Sequence, residues 1–285
     1  MDKEVILCEH AGFCFGANRG YSLVEESLNE GIPIYTYGPI LNNQQIVDGF
    51  AKRGVRVVNS VEEFASLPKG KIIIRSHGVP RKTYEALQKT GFDVHDATCP
   101  FVKRIHRIVD EESKKGAKIV VVGNPKHPEV VGIVGWSNTP ATVVETTEDV
   151  ENFTCDDQRN ICVVSQTTFN RTKFKELVDI FNKKGYNIHV MNTICDATAV
   201  RQEEAEKLAT TADVMIVIGD KESSNSRKLY EICKRVCEVT YFIQTVDDIE
   251  GELQGISGRI GITAGASTPK YIIEEVQSHV REYDI

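Results

Sequence analysis

Three cysteines constrain this 285-residue chain more than any other feature. Cys14 lies in Gly12-Phe13-Cys14-Phe15-Gly16, Cys99 in Asp96-Ala97-Thr98-Cys99-Pro100, and Cys195 in Cys195-Asp196-Ala197-Thr198. Each stands where a strand-like apolar run gives way to a helical pattern. Each is followed by a glycine that closes the next apolar run. Cys14 to Gly38, Cys99 to Gly123 and Cys195 to Gly219 all span 24 residues. An interval repeated three times reads as three copies of one α/β unit. The lobes are expected at residues 1–97, 98–193 and 194–285, meeting face to face, with one thiolate from each near a pseudo-threefold axis.

Within each lobe the order repeats. The first begins with the short run Val5-Ile6-Leu7-Cys8, after Met1-Asp2-Lys3-Glu4. It continues with a strand over 32–37, a helical pattern over 41–50, a strand over 55–58 and a capping box at Ser60–Glu63 opening another helix. A strand over 71–74 then delivers Ser76-His77-Gly78-Val79. In the second lobe Pro100 suits the first helical position, where its missing N–H leaves no bond unmade. Val102, Ile105, Ile108 and Val109 recur at helical spacing. Thr146–Asp149 and, in the third lobe, Thr245–Asp248 are further caps. Alternating strands and helices point to parallel sheets covered by helices, in which ligands bind beyond the carboxyl ends of the strands.

Bulk properties exclude several functions. With 41% hydrophobic and 26% charged residues and a net charge of −7, the composition is that of a water-soluble globular chain. No basic excess suggests a nucleic-acid or membrane partner. No apolar run approaches the roughly 18–20 residues of a membrane span. The N-terminus lacks the basic and apolar regions of a signal peptide, so a cytoplasmic location is expected. In that compartment eight cysteines are reduced thiols or metal ligands rather than a disulfide framework.

Cys8, Cys155 and Cys162 read as small buried hydrophobes, and Cys233 and Cys237 as one apolar helix face. Cys14, Cys99 and Cys195 differ, because helix N-termini favour thiolates. Ligands so distant in sequence do not form a zinc ribbon, whose ligands come in short pairs. Three thiolates suit an iron–sulfur cluster with one open iron, or zinc with a fourth ligand.

If the lobes converge, their strand-end loops line one cavity. Asn42 and His77 come from the first lobe, His127, Glu129, Thr167 and Thr168 from the second, and Ser223, Ser224, Asn225 and Ser267 from the third. Imidazoles, hydroxyls, amides and glycine-flanked N–H groups together can hold a phosphate or diphosphate. No Walker-type loop is present. Glu129, beside a histidine and a proline, is the candidate proton donor. Ser223–Asn225 also read as a helix cap.

Taken together, the three cysteine motifs, Ser76-His77-Gly78-Val79, His127-Pro128-Glu129-Val130, Gln166-Thr167-Thr168, Asn192-Thr193-Ile194-Cys195, Ser223-Ser224-Asn225-Ser226 and Ala264-Gly265-Ala266-Ser267-Thr268-Pro269 cover nearly the whole chain. In this set the sequence resembles the 4-hydroxy-3-methylbut-2-enyl diphosphate reductases, the last enzymes of the non-mevalonate isoprenoid route. The resemblance implies an α/β, three-lobed trefoil of pseudo-threefold-related units around a central [4Fe–4S] cluster on Cys14, Cys99 and Cys195. It implies that His77, His127, Ser223, Asn225 and Ser267 grip a diphosphate, while Thr167 and Glu129 sit at the substrate hydroxyl. Thr168 and Ser224 join the substrate contacts, and a ferredoxin or flavodoxin supplies two electrons. One position departs from the pattern: Asn42 stands where the family has a diphosphate-binding histidine, and an amide carries no charge. The alternatives are a paralogous cluster-dependent reductase or dehydratase on another small substrate, a non-catalytic iron–sulfur sensor, and a structural zinc protein.

Overall fold

The computed structural model describes residues 3–155, 160–252 and 257–282. Met1 and Asp2 lie outside the described residues. In chain order the elements begin with β1 (Glu4–Leu7), α1 (Phe15–Leu28), β2 (Ile34–Tyr37), α2 (Gln44–Lys52), β3 (Arg56–Val58), β4 (Lys71–Ile74), α3 (Arg81–Gln88) and β5 (Asp93–Asp96). Next come α4 (Pro100–Lys114), β6 (Lys118–Val122), α5 (Pro128–Val134), β7 (Thr142–Val144), α6 (Thr147–Asn152), β8 (Ile161–Ser165), α7 (Arg171–Lys183) and β9 (Ile188–Val190). The chain closes with α8 (Asp196–Ala209), β10 (Val214–Ile218), α9 (Ser224–Val236), β11 (Thr240–Ile243), β12 (Arg259–Ala264) and α10 (Lys270–Glu282).

The strands form three parallel four-stranded sheets with one shared order: β3-β2-β4-β5, β7-β6-β8-β9 and β11-β10-β12-β1. Parallel strands need a crossover, so their two faces are covered and the strands become continuously apolar. Ile72-Ile73-Ile74, Val120-Val121-Val122 and Met215-Ile216-Val217-Ile218 are accordingly fully buried. The repeat read from the cysteines is thus an α/β fold of three parallel sheets. By its contacts the chain divides into two compact units. One holds Met1–Asn18, Asn42–Ile46 and Asp196–Ile285, and the other Arg19–Leu41 and Val47–Cys195.

Three local expectations need correction. The run Val5–Cys8 is not a strand of the first sheet. β1 pairs with β12, Val5 opposite Ile260 and Leu7 opposite Ile262. Its place in the third sheet matches that of β5 in the first and β9 in the second. The helix expected from residue 41 begins at Gln44, because Asn43 Oδ1 accepts the N–H of Ile46 at 3.1 Å and caps it. The Ser60–Glu63 box is half made: Glu63 accepts the Asn59 and Ser60 N–H groups, Ser60 caps nothing, and a short 3₁₀ turn follows over Glu62–Ser66. At Thr146–Asp149 and Thr245–Asp248 both halves of the box form. Among the described residues no helix is long and apolar enough to cross a membrane.

Candidate active site

All three motif cysteines precede a helix by one residue: Cys14 before α1, Cys99 before α4, Cys195 before α8. Their backbones are held in the same way. Cys14 N donates to Ala266 O at 3.2 Å, Cys99 N to Ser76 O at 2.9 Å, and Cys195 N to Thr167 O at 3.0 Å. Each acceptor lies two residues beyond the end of a strand, after β12, β4 and β8 respectively. The repeat therefore extends to the bond that seats each thiol. Cys14 Sγ also accepts the N–H of Ala17 at 3.4 Å in the first turn of α1.

The three motif cysteines are half-buried and not in disulfides. Other cysteines serve the core. Burial pushes the Cys8 thiol up to about 11, and Cys162 and Cys233 to about 12, so these stay protonated. Cys233 and Cys237 pack with Ala205, Met215 and Leu229, as one apolar helix face should. Among the described residues no three His, Cys, Asp or Glu side chains are grouped to hold one metal ion. Thiols each at its own helix start are ligands of the kind that an iron–sulfur cluster or a zinc ion takes.

In the larger unit Glu129 and Thr167 are joined directly. His127 ends the loop after β6 and caps α5, its Nδ1 accepting the Glu129 N–H at 3.1 Å. In the neutral tautomer Nε2 is then the ring nitrogen that carries the proton. The Glu129 side chain turns inward and is 2% exposed. Thr167 N donates to Oε1 at 2.6 Å and Thr167 Oγ1 to Oε2 at 2.8 Å. Burial outweighs both bonds and pushes the carboxyl up to about 7. Thr168, expected among the substrate contacts, has its hydroxyl engaged by Gln166 Nε2 at 3.1 Å, and Gln166 Oε1 accepts from Asn124 N.

His77 and His127 meet edge to face, ring centres 5.3 Å apart. Burial, then the neighbouring His127 and Arg75, hold the His77 imidazole well below its usual 6.5. In the free protein His77 is therefore neutral at physiological pH. Arg75 is a cation missed from the sequence. Its Nε approaches Gly78 O at 3.5 Å, and its guanidinium lies against Gly38, where an added Cβ would meet Nη1 at 2.7 Å. The available signal was a basic residue directly before Ser76-His77-Gly78.

In the smaller unit Asn42, Ser223, Ser224, Asn225 and Ser267 gather around the start of α9. Ser223 caps the helix, accepting Ser226 N at 3.3 Å, and Ser224 is its first residue. Ser267 Oγ lies 3.4 Å from Ser223 Oγ and donates to Asn42 O at 3.0 Å. The Asn42 amide makes a long contact to Glu222 O at 3.5 Å. Asn225 is 3% exposed, and neither its Oδ1 nor its Nδ2 has a protein partner. A buried primary amide left unpaired costs about 1–3 kcal/mol, a cost that a polar ligand removes. Sequence reasoning named Ser226 within its motif without giving it a role, and passed over Asp220. Buried Ser226 donates to Ser223 Oγ at 3.0 Å, and Asp220 accepts from Gln44 N and Glu222 N, ordering both neighbouring loops.

Comparison with known proteins identifies the class. The family model described as LytB protein matches residues 5–281, and this chain belongs to that family. It is 44% identical over 281 residues to the 4-hydroxy-3-methylbut-2-enyl diphosphate reductase of Caldanaerobacter subterraneus subsp. tengcongensis, covering 98% of this chain and 96% of that protein. The Aquifex aeolicus protein of the same name is 44% identical over 284 residues, with 98% and 96% covered. A solved (E)-4-hydroxy-3-methyl-but-2-enyl diphosphate reductase, described as the terminal enzyme of the non-mevalonate pathway, is 42% identical with a TM-score of 0.71. That comparison covers 99% of this chain and 100% of the other. The Plasmodium falciparum reductase structure is 28% identical with a TM-score of 0.91, covering 99% and 88%.

Proposed function

We propose that this chain is a 4-hydroxy-3-methylbut-2-enyl diphosphate reductase carrying a [4Fe–4S] cluster on Cys14, Cys99 and Cys195. Membership of the LytB family supports an enzyme over a non-catalytic sensor. The observation that carries the chemistry is the Glu129–Thr167 pair: a buried carboxyl that keeps its proton to about pH 7, presented by a threonine whose carbonyl also seats Cys195. When bound, the cluster supplies electrons one at a time and an iron without a protein ligand that acts as a Lewis acid.

The residues divide the remaining work. Ser223, Asn225 and Ser267, with Asn42, offer hydroxyl and amide donors to diphosphate oxygens, and Asn225 regains its missing partners. His77 and His127 offer ring N–H groups. A dianion beside His77 opposes the burial and the neighbouring cation that keep its ring neutral. Thr167 Oγ1 and the Glu129 carboxyl sit at the hydroxyl end. Glu129 gives a proton to the departing oxygen and the C–O bond breaks. Two electrons and a second proton then complete the hydrocarbon, leaving water and isopentenyl or dimethylallyl diphosphate. A ferredoxin or flavodoxin is the proposed electron donor, and the cytoplasm the proposed location.

Anaerobic reconstitution followed by assay with a strong artificial reductant tests this reading. Brown protein that turns over the hydroxymethylbutenyl diphosphate is the expected result. A cluster-loaded protein that leaves this diphosphate untouched, and reduces another small substrate, overturns the substrate assignment.

A further inference from the structure

The second turn of each cysteine helix abuts a loop, and the three helices solve that contact differently. At Gly20, six residues after Cys14, an added Cβ would lie in ordinary contact with Ile40 at 3.6 Å and Ser76 at 3.7 Å. His106, seven after Cys99, stacks on Trp136 with ring centres 5.2 Å apart, and its Cε1 lies 2.7 Å from where a Gly78 Cβ would be. Arg201, six after Cys195, is 3% exposed and makes a polar clamp. Its Nε donates to His10 O at 2.9 Å, its Nη2 to Gly12 O at 2.8 Å, and its Nη1 to Ala197 O at 3.0 Å. One turn further, Glu204 accepts Glu9 N at 2.5 Å and His10 N at 3.0 Å.

Ala197 lies in α8 itself, whereas Glu9, His10 and Gly12 belong to the loop from β1 to Cys14. On its other side that loop hangs from the end of β12, through Gly12 N to Ala264 O at 3.3 Å and Cys14 N to Ala266 O at 3.2 Å. Gly12 itself has φ +96°, and a Cβ there would meet Ile273 Cδ1 at 2.7 Å. The loop is thus bent tightly and held from two sides. The α8 side is held by one guanidinium, whose Nε and Nη2 reach the two loop carbonyls while Nη1 ties it back to Ala197 O of its own helix. Only a planar fork of fixed N–H directions can do this, and an ammonium on a flexible stem cannot.

We propose that Arg201 is the positioning residue for Cys14, fixing the loop that presents this thiol through charge-assisted bonds from α8. The consequence for iron binding rests on the cluster reading above, whereas the consequence for the loop does not. The test therefore begins with apo-protein. Alkylation of Cys14 by iodoacetamide is followed by peptide mass spectrometry, with Cys99 in the same sample as the internal control. Losing even one such bond raises the open population of a local segment about fivefold or more. Arg201→Met and Arg201→Lys are both expected to speed Cys14 labelling at least about fivefold, leaving Cys99 unchanged. Glu204→Ala, at a partly exposed position, is expected to speed it about twofold and covers the case in which the Arg201 variants do not fold. Iron bound on reconstitution should fall in the same order.

Equal acceleration at Cys14 and Cys99 would mean general loosening and overturn the proposal, as would unchanged labelling in all three variants. Full rescue by Arg201→Lys would overturn the fork geometry. Wild-type protein that binds no iron, with Cys14 still exposed selectively in the variants, would refute the cluster and leave the positioning role standing.

Discussion

Glu129 and Thr167, 38 residues apart in the chain, are joined by two bonds: Thr167 N to Oε1 at 2.6 Å and Thr167 Oγ1 to Oε2 at 2.8 Å. The same threonine accepts the Cys195 N–H through its carbonyl. Thr167 therefore places the candidate acid relative to one candidate iron ligand with no intervening side chain.

Removing the acidic proton while keeping the shape should separate chemistry from folding. Glu129→Gln is expected to lower kcat by about 10²–10⁴-fold, the usual worth of a positioned general acid. Iron content should stay at the wild-type level. Full turnover in this variant, measured anaerobically with an artificial reductant, would remove Glu129 from the mechanism.

The same carboxyl sets a pH dependence of stability. Its folded value is raised from 4.5 to about 7 by burial. Between those limits the unfolded chain has released the proton and the folded chain retains it, so stability falls as pH rises through this window and levels above it. Glu129→Gln lacks this loss. Urea unfolding of apo-protein at pH 5 and pH 8 should show the variant gaining on wild type by up to about 3 kcal/mol. A pH-independent difference between the two proteins would contradict the buried, protonated state.

Asn42 is open to replacement, since its amide makes only the 3.5 Å contact to Glu222 O while its backbone carbonyl is held by Ser267. Asn42→His should lower KM for the diphosphate by about fivefold at pH 6, and by less at pH 8, because a protonated ring makes bonds roughly twice as strong as an amide. Michaelis constants at the two pH values decide the matter. An unchanged KM at both would show that position 42 does not touch the anion.

Ser226 and Gly265 are coupled by space. A Cβ on Gly265 would lie 1.9 Å from Ser226 Oγ and 3.1 Å from its Cβ. Gly265→Ala should cost about 1–3 kcal/mol of stability. Adding Ser226→Ala removes the colliding oxygen and should recover at least about 1 kcal/mol in a double-mutant cycle. Strict additivity of the two changes would show that the loop relaxes instead.

The cysteine helices, the strand-end glycines and the caps at Thr146 and Thr245 were all legible, because each rests on residues close together in the chain. Ser223 as a helix cap was legible for the same reason. The position of β1 was not, since its apolar run fits the edge of any of the three sheets equally well. Only pairing with Ile260 and Ile262 assigns it. Asp220 and Arg201 escaped notice because nothing local marks them. A single arginine on an alanine-rich helix reads as solvated until its nitrogens are found on His10, Gly12 and Ala197.

Periodicity and spacing were enough to establish a thrice-repeated α/β unit with a thiol opening one helix in each copy, since these are properties of short windows of chain. Protonation states and partners were decided by tertiary structure alone. Glu129 is an acid at neutral pH because distant segments exclude water from it, and His77 is neutral for the same reason. Desolvation is a property of everything packed around a group, and a linear string of residues does not contain it.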